Sequence, residues 1–334
     1  THKHTHLAAI VVASTGAVVA EATVDADPGG YLALLDLAEA HGSRRAWAIE
    51  GTASYGAGLT RFLEEGGEQV VELERPERAR RRGGGKSDPL DAVRAAREAL
   101  GRERLAQSRA RGERAALSVL LCARRSAVDA STAAQRQLHA LVVAAPEALR
   151  ARFRGHSTTQ MVEVATRLRV NDRSDLETRT TTEVLRALAR RIRTMTAEAE
   201  VHEASIVAVV RSWRPDLLGQ AGVGPIVAAT LLCAWSHPGR CRNDAAFAML
   251  AGAAPIPASS GLTTRHRLNR YGDRQLNRAL HTVVICRLRY DPATRAYAEK
   301  RTKEGKRSPR DQALPKALRG PPALPPTGEP VNRP

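Results

Sequence analysis

Residues 7–24 read LAAIVVASTGAVVAEATV: an apolar run rich in Ile and Val, a Ser14-Thr15-Gly16 turn, and a second apolar run. Two β-rich runs joined by a glycine turn predict a β-hairpin, with strands over 7–13 and 17–24. Outward from it, Gly29-Gly30 precede YLALLDLAEA, an amphipathic helix. RAWAIE (45–50) then reads as a strand, GTASYG (51–56) turns into a helix ending near 64–67, and EQVVELE (68–74) is a further strand. A dinucleotide-binding fold would open strand, glycine loop, helix; a hairpin followed by alternating helix and strand excludes that order.

The pattern predicts an α/β sheet of the ribonuclease-H type over residues 1–108. Alternation puts His2, His4 and His6 on one strand face, with no further zinc ligands nearby, so THKHTH reads as strand interior. A basic loop follows in RPERARRRGGGKSDPLDAVRAAREAL (75–100), carrying Arg80, Arg81, Arg82 and Lys86. Ser87 suits a helix N-cap, Pro89 the first turn, and Asp88 the positive end of the dipole. Residues 112–145 and 181–211 are rich in Ala, Leu and Arg and predict a long helical pair joined by a connector, a helical middle region over 109–212.

A mostly α third domain is assigned to 213–308. Its LLGQAGVGPIVAATLLCAW (217–235) predicts a helix-hairpin-helix, with Gly222 and Gly224 in a turn that offers backbone N–H groups to a phosphate. A helix over 242–251 leads into GAAPIPASSGLTTRHRLNRYGDRQLNRAL, with Arg265, Arg267, Arg270 and Arg274. Residues 261–310 hold 14 Lys/Arg against 4 Asp/Glu, a charge concentration that points to a phosphate-contacting surface. The tail 309–334 becomes PPALPPTGEPVNRP, low in complexity and read as disordered or frameshifted.

Composition agrees. The chain carries 52 Lys+Arg against 35 Asp+Glu, a net +17, which points to nucleic acid before membranes or acidic metabolites. The excess is mostly arginine, whose planar fork suits phosphate. The cysteines Cys122, Cys233, Cys241 and Cys286 form no CxxC pair. Pro238 and Gly239 interrupt the Cys233, His237, Cys241 spacing, so reduced structural thiols are expected rather than zinc. No run approaches the apolar length of a membrane span and no signal peptide is visible, so a cytoplasmic protein is expected.

Three acids are candidates for a metal site. Glu50 ends a strand, and Asp88 and Asp91 lie three apart at a helix start, on one face. Carboxylates so gathered suit one or two Mg²⁺, which activate a nucleophile and stabilise a leaving oxygen in phosphodiester chemistry. The second candidate is Ser259-Ser260 before Gly261, followed by Thr263, Thr264, Arg265, His266 and Arg267, donors able to hold a phosphate before a hydroxyl. Acyl transfer is disfavoured, since no GxSxG accompanies the serine.

IEGTASYG, KSDPLDA, GVGPIVAATLL and FAMLAGAAPIPASSGLTTRHRLNRYGDRQLNRALH resemble the insertion-sequence 110 family of transposases over about residues 1–305. That resemblance implies an N-terminal RuvC-like DEDD domain joined through a coiled coil to a C-terminal transposase domain. It implies recombination of DNA at element ends and target, directed by a structured bridge RNA, in a homo-oligomer whose partner supplies the acids. Ser260 would be the nucleophile, with Ser259 as its alternative; Glu50, Asp88 and Asp91 would be the second, third and fourth acids, holding Mg²⁺. The first acid is expected in a Gly-hydrophobic-Asp run directly before Thr1; Glu21 and Asp25 are not placed to replace it, so impaired metal binding is expected. Two other readings stay open: a RuvC-like junction endonuclease using water, and a nucleic-acid-binding remnant without turnover.

Overall fold

The computed structural model describes residues 1–42, 45–73, 88–102, 105–237, 240–241, 243–258 and 265–304, excepting the side chains of 88, 89 and 301. It divides into two compact units, the first comprising Thr1–Ala110 with Ser236–Arg240, the second beginning at Arg111.

In the first unit, β1 (Thr5–Val11) and β2 (Val18–Asp25) form the hairpin, antiparallel with Leu7 opposite Thr23 and Ala9 opposite Glu21. The turn closes where Val12 N–H donates to Ala17 O at 2.9 Å, and Gly16 takes φ +70°, a left-handed position that suits glycine. The strand begins at Thr5, so His2 and His4 precede it and only His6 belongs to it. The expected strand face of three histidines therefore reduces to one buried ring, stacked on Tyr31 at 5.6 Å between centroids.

Helix α1 (Pro28–Ala40) is capped by Asp27, which accepts from Gly30 N–H at 2.8 Å. Strand β3 (Trp47–Glu50), helix α2 (Ala57–Glu65) and β4 (Val70–Leu73) make a parallel βαβ unit, to which β5 (Ala106–Gln107) adds antiparallel. Among the described residues the hairpin and this three-stranded sheet are separate sheets. Helix α3 (Asp88–Leu100) touches both β1 and β3. Leu34, Ile49, Leu59, Leu63 and Val70 form the main core, and Leu73, Ala95 and Ala99 a smaller one.

Buried and half-buried charge fastens this unit. Arg45 grips Glu68 through Nε and Nη2 at 2.8 and 2.6 Å, and Trp47 Nε1 donates to the same carboxylate at 2.7 Å. Buried Glu72 in β4 accepts from Arg109 Nε at 2.7 Å and lies 3.7 Å from Arg240. With Ser236 Oγ accepting from Ala110 N–H at 3.1 Å, these contacts make Ser236–Arg240 part of the unit.

The second unit is helical. Helices α4 (Glu113–Ala144) and α7 (Leu176–Trp213) hold 32 and 38 residues, roughly 50 and 57 Å long at the usual rise. Short helices α5 (Glu147–Arg150) and α6 (Thr158–Thr166) join them, the latter started by a Ser157/Gln160 capping box. Arg124 bonds Glu203 and Ser131 meets Thr196, so residue numbers on α7 fall as those on α4 rise: the pair is antiparallel. Leu185, Ala189, Ile192, Ala199, Ile206 and Val210 are buried on α7 at alternating three- and four-residue steps, with Thr196 and Glu203 filling the intervening seam positions. Beyond it, α8 (Pro225–Trp235), α9 (Asp244–Leu250) and α10 (Arg274–Tyr290) close around Ile206, Val210, Leu232, Phe247, Leu276 and Val284, and α11 (Pro292–Lys303) packs on α10.

Candidate functional sites: an acidic cavity edge and a basic hairpin

The turn after β3 presents Glu50. Gly51 takes φ +72°, and a Cβ there would stand 2.6 Å from Ser54 Oγ; at Gly56 a Cβ would meet Ile49 Cγ2 at 2.7 Å. These two glycines let IEGTASYG fold back on the strand end, leaving Glu50 exposed and burying Thr52, which accepts from Arg109 N–H at 3.2 Å.

Asp91 stands on the first turns of α3, partly exposed and 3.2 Å from Arg94 Nη1. Glu50 and Asp91 border one cavity of about 1210 Å³ in the first unit. Asp88 opens α3, but its side chain lies outside the described residues, as do Ser87, Arg80, Arg81, Arg82 and Lys86. Among the described residues no three His, Cys, Asp or Glu side chains are gathered as a metal cluster. The described donors at the cavity edge are two carboxylates, an oxygen set that fits a hard divalent cation.

The serine loop is closed by two short strands. β6 (Ile256–Pro257) pairs antiparallel with β7 (His266–Arg267), and Ala258 N–H donates to Arg265 O at 2.8 Å. The chain between them, with Ser259, Ser260, Thr263 and Thr264, lies outside the described residues. Its base is anchored to the end of α9. Asn269 Nδ2 donates to Met249 O at 3.1 Å, Asn277 Nδ2 to Ala251 O at 2.9 Å, and Asp273 N–H to Leu250 O at 2.7 Å. Gly252 takes φ +66°, and a Cβ on Gly272 would fall 2.1 Å from Gly252 N: two backbones meet where no side chain fits. Asp273 then caps α10, accepting from Gln275 and Leu276 N–H.

Arg265, Arg267, Arg270 and Arg274 are exposed on this hairpin and helix start, and so are Leu268 and Tyr271, the latter 89% exposed. Sequence reasoning weighs the arginines and passes over Tyr271, an exposed aromatic ring in the same stretch of chain. It also passes over Asn269, Asp273 and Asn277, whose role shows only in contacts with α9.

Of the paired glycines before α8, Gly222 (φ +83°) answers to packing: a Cβ would stand 2.9 Å from Val283 O on α10. Gly224 has open space around it. The segment ahead of them is a single 3-10 turn, Pro215–Gly219, with Leu217 buried. No disulfide joins the cysteines among the described residues, and burial pushes the Cys233 thiol up to about 11.

A chain with an α/β DEDD domain at its N-terminal side and a basic helical region beyond it is a transposase, an enzyme that recombines DNA. Residues 1–145 match the DEDD transposase model of the IS110 group, and residues 217–299 match the model described as Transposase IS116/IS110/IS902 family. The chain belongs to that family. No curated protein matches it. Among the described residues no helix is long and apolar enough to cross a membrane.

Proposed function

We propose that the chain cuts and joins DNA through a serine, Ser260, in the loop that Ala258 and Arg265 close. The observation that carries the reading is the backbone bond between Ala258 and Arg265, the described residues on either side of the serine segment in sequence, with Arg265, Arg267, Arg270 and Arg274 exposed from there onward. The arginines neutralise and orient a backbone phosphate. The serine Oγ attacks phosphorus: an Oγ–P bond forms, the P–O bond to the leaving deoxyribose oxygen breaks, and the hydroxyl proton leaves as that oxygen gains one. The phosphoserine link conserves the phosphodiester for rejoining to a second strand.

Glu50, Asp88 and Asp91 are the residues proposed to hold a divalent ion, Mg²⁺ in this reading. DEDD domains use divalent metal in general, and a bound ion would supply charge stabilisation to the phosphoryl transfer. The chain's own carboxylates would hold it, Asp91 being shared with Arg94. The long α4–α7 pair serves as a coiled-coil connector, the domains fall at 1–108, 109–212 and 213–308, a bridge RNA selects the DNA, and the working form is a homo-oligomer. Gly222 and Gly224 with the start of α8 act as a helix-hairpin-helix phosphate contact, as Arg80, Arg81, Arg82 and Lys86 do for the first unit.

The test is covalent trapping on a nicked DNA carrying the element end. The parent chain leaves a DNA–protein adduct whose phosphorylated peptide contains Ser260, and Ser260→Ala lowers adduct yield and strand transfer by at least about 10³-fold. An undiminished adduct in Ser260→Ala with loss in Ser259→Ala reassigns the nucleophile. Cleavage retained in both variants overturns serine chemistry in favour of water.

A further inference from the structure

After β7 the chain runs through Leu268-Asn269-Arg270-Tyr271, where the backbone is fixed while three of the four side chains stand in solvent. Half-buried Asn269 is the anchor: its Nδ2 donates to Met249 O at 3.1 Å, and its Oδ1 accepts from Tyr271 N–H at 3.0 Å. On the other side of Tyr271, Gly272 is pressed against Gly252 with no room for a Cβ. Leu268 and Tyr271 are nonetheless 80% and 89% exposed, the two most exposed large hydrophobic side chains among the described residues. A single exposed apolar residue is ordinary. Two within four residues, on a backbone pinned at Asn269 and Gly272, are ordered before any partner arrives, and that lowers the entropic cost of binding one.

The helix that follows indicates the partner's chemistry. α10 buries Leu276, Ala279, Leu280, Val283 and Val284 and exposes Arg274, Arg278, Thr282, Ile285 and Arg289. At about 100° per residue the exposed five fall within an arc of about 80°, a single stripe roughly 22 Å long. α10 contains no Asp or Glu, and among the described residues Arg274, Arg278 and Arg289 are in no ion pair. Arginines without carboxylate partners along one face fit a line of phosphates. A second copy of this chain, at +17, would be repelled by the same face.

We propose that Leu268 and Tyr271 form a wedge that enters the base stack of a DNA duplex whose backbone lies along the arginine stripe of α10. Apolar side chains inserted at a base step unstack it and kink the duplex, and an aromatic ring offsets part of that cost by stacking on the freed base. The wedge begins three residues after Arg265, the closing residue of the serine segment, so the step it opens belongs to the DNA held for strand exchange. The inference rests on the family's action on DNA and on neither Ser260 nor a metal. Its test is made in chelator, so that it and the serine reading fail separately.

The experiment measures binding of the full chain, at about 50 mM salt, to two duplexes of about 30 base pairs. One is fully paired; the other carries two adjacent mismatches at its centre, where the stack is already loosened. The parent is expected to favour the mismatched duplex at least about tenfold, and Leu268→Ala/Tyr271→Ala to bind both alike. Tyr271→Phe keeps the preference, because the ring rather than the hydroxyl stacks. Arg274→Gln/Arg278→Gln weakens binding to both duplexes by the same factor and leaves the preference in place. No preference in the parent overturns the proposal, and so does a preference retained in the double alanine variant. Arginine variants that bind as the parent does overturn the place given to α10. A double alanine variant that changes the oligomeric state in sedimentation and leaves the preference untouched makes the pair a protein contact and overturns the wedge.

Discussion

Glu68 is held by Arg45 from two sides and by the Trp47 indole, and the Arg45 hydrogen bonds chiefly hold its carboxyl below the ordinary carboxylate value. Burial opposes that shift without reversing it. A folded-state value below the unfolded one contributes stability above the unfolded pKa, near 4.5, and loses it as pH falls through the folded value. Glu68→Gln is therefore expected to lower unfolding free energy by about 1–3 kcal/mol at pH 7, with the gap to the parent closing in urea titrations below pH 4. Gly272 makes the other sharp case. An added Cβ would lie 2.1 Å from Gly252 N, so Gly272→Ala meets backbone rather than a flexible side-chain tip. A loss of about 2–4 kcal/mol is expected, together with loss of strand transfer, because the serine hairpin hangs from this contact. Thermal melts read the first and the adduct assay the second.

At the scale of elements, the α4–α7 seam carries polar layers at mid-length, Arg124 with Glu203 and Ser131 with Thr196. Arg124 and Glu203 are partly exposed, so their ion pair contributes little net stability while fixing which residues face one another. Replacing both by Leu is expected to leave melting temperature unchanged or higher, whereas Arg124→Leu alone lowers it; calorimetry of the three variants decides. The helices themselves are legible in the sequence, because burial at three- and four-residue steps is written into it. Their ends fall close to expectation, at 113–144 and 176–213 against 112–145 and 181–211. The first strand starts two residues before its expected position, because apolarity begins at Leu7 while hydrogen bonds to β2 begin at Thr5.

On the whole molecule, the charge of +17 is concentrated where four exposed arginines flank the serine loop. If each neutralises one phosphate, removing all four lowers the slope of log affinity against log salt by about 3.6 on duplex DNA. Filter binding from 50 to 300 mM salt checks it, and Tyr271→Ala is expected to weaken single-stranded binding by about 1–3 kcal/mol with an unchanged slope, since stacking releases no counterions. The hairpin, the α/β order and the long helices are readable along the chain, because strand alternation, helical spacing and glycine turns act between near neighbours, and the transposase family is readable through its motifs. Pairings across long separations are not. Glu72 with Arg109 and Arg240, the Gly252–Gly272 contact and the buried His6 ring all join residues that no local pattern links. Tertiary structure alone decides them, since burial and hydrogen-bond partners are fixed only when distant segments close on one another.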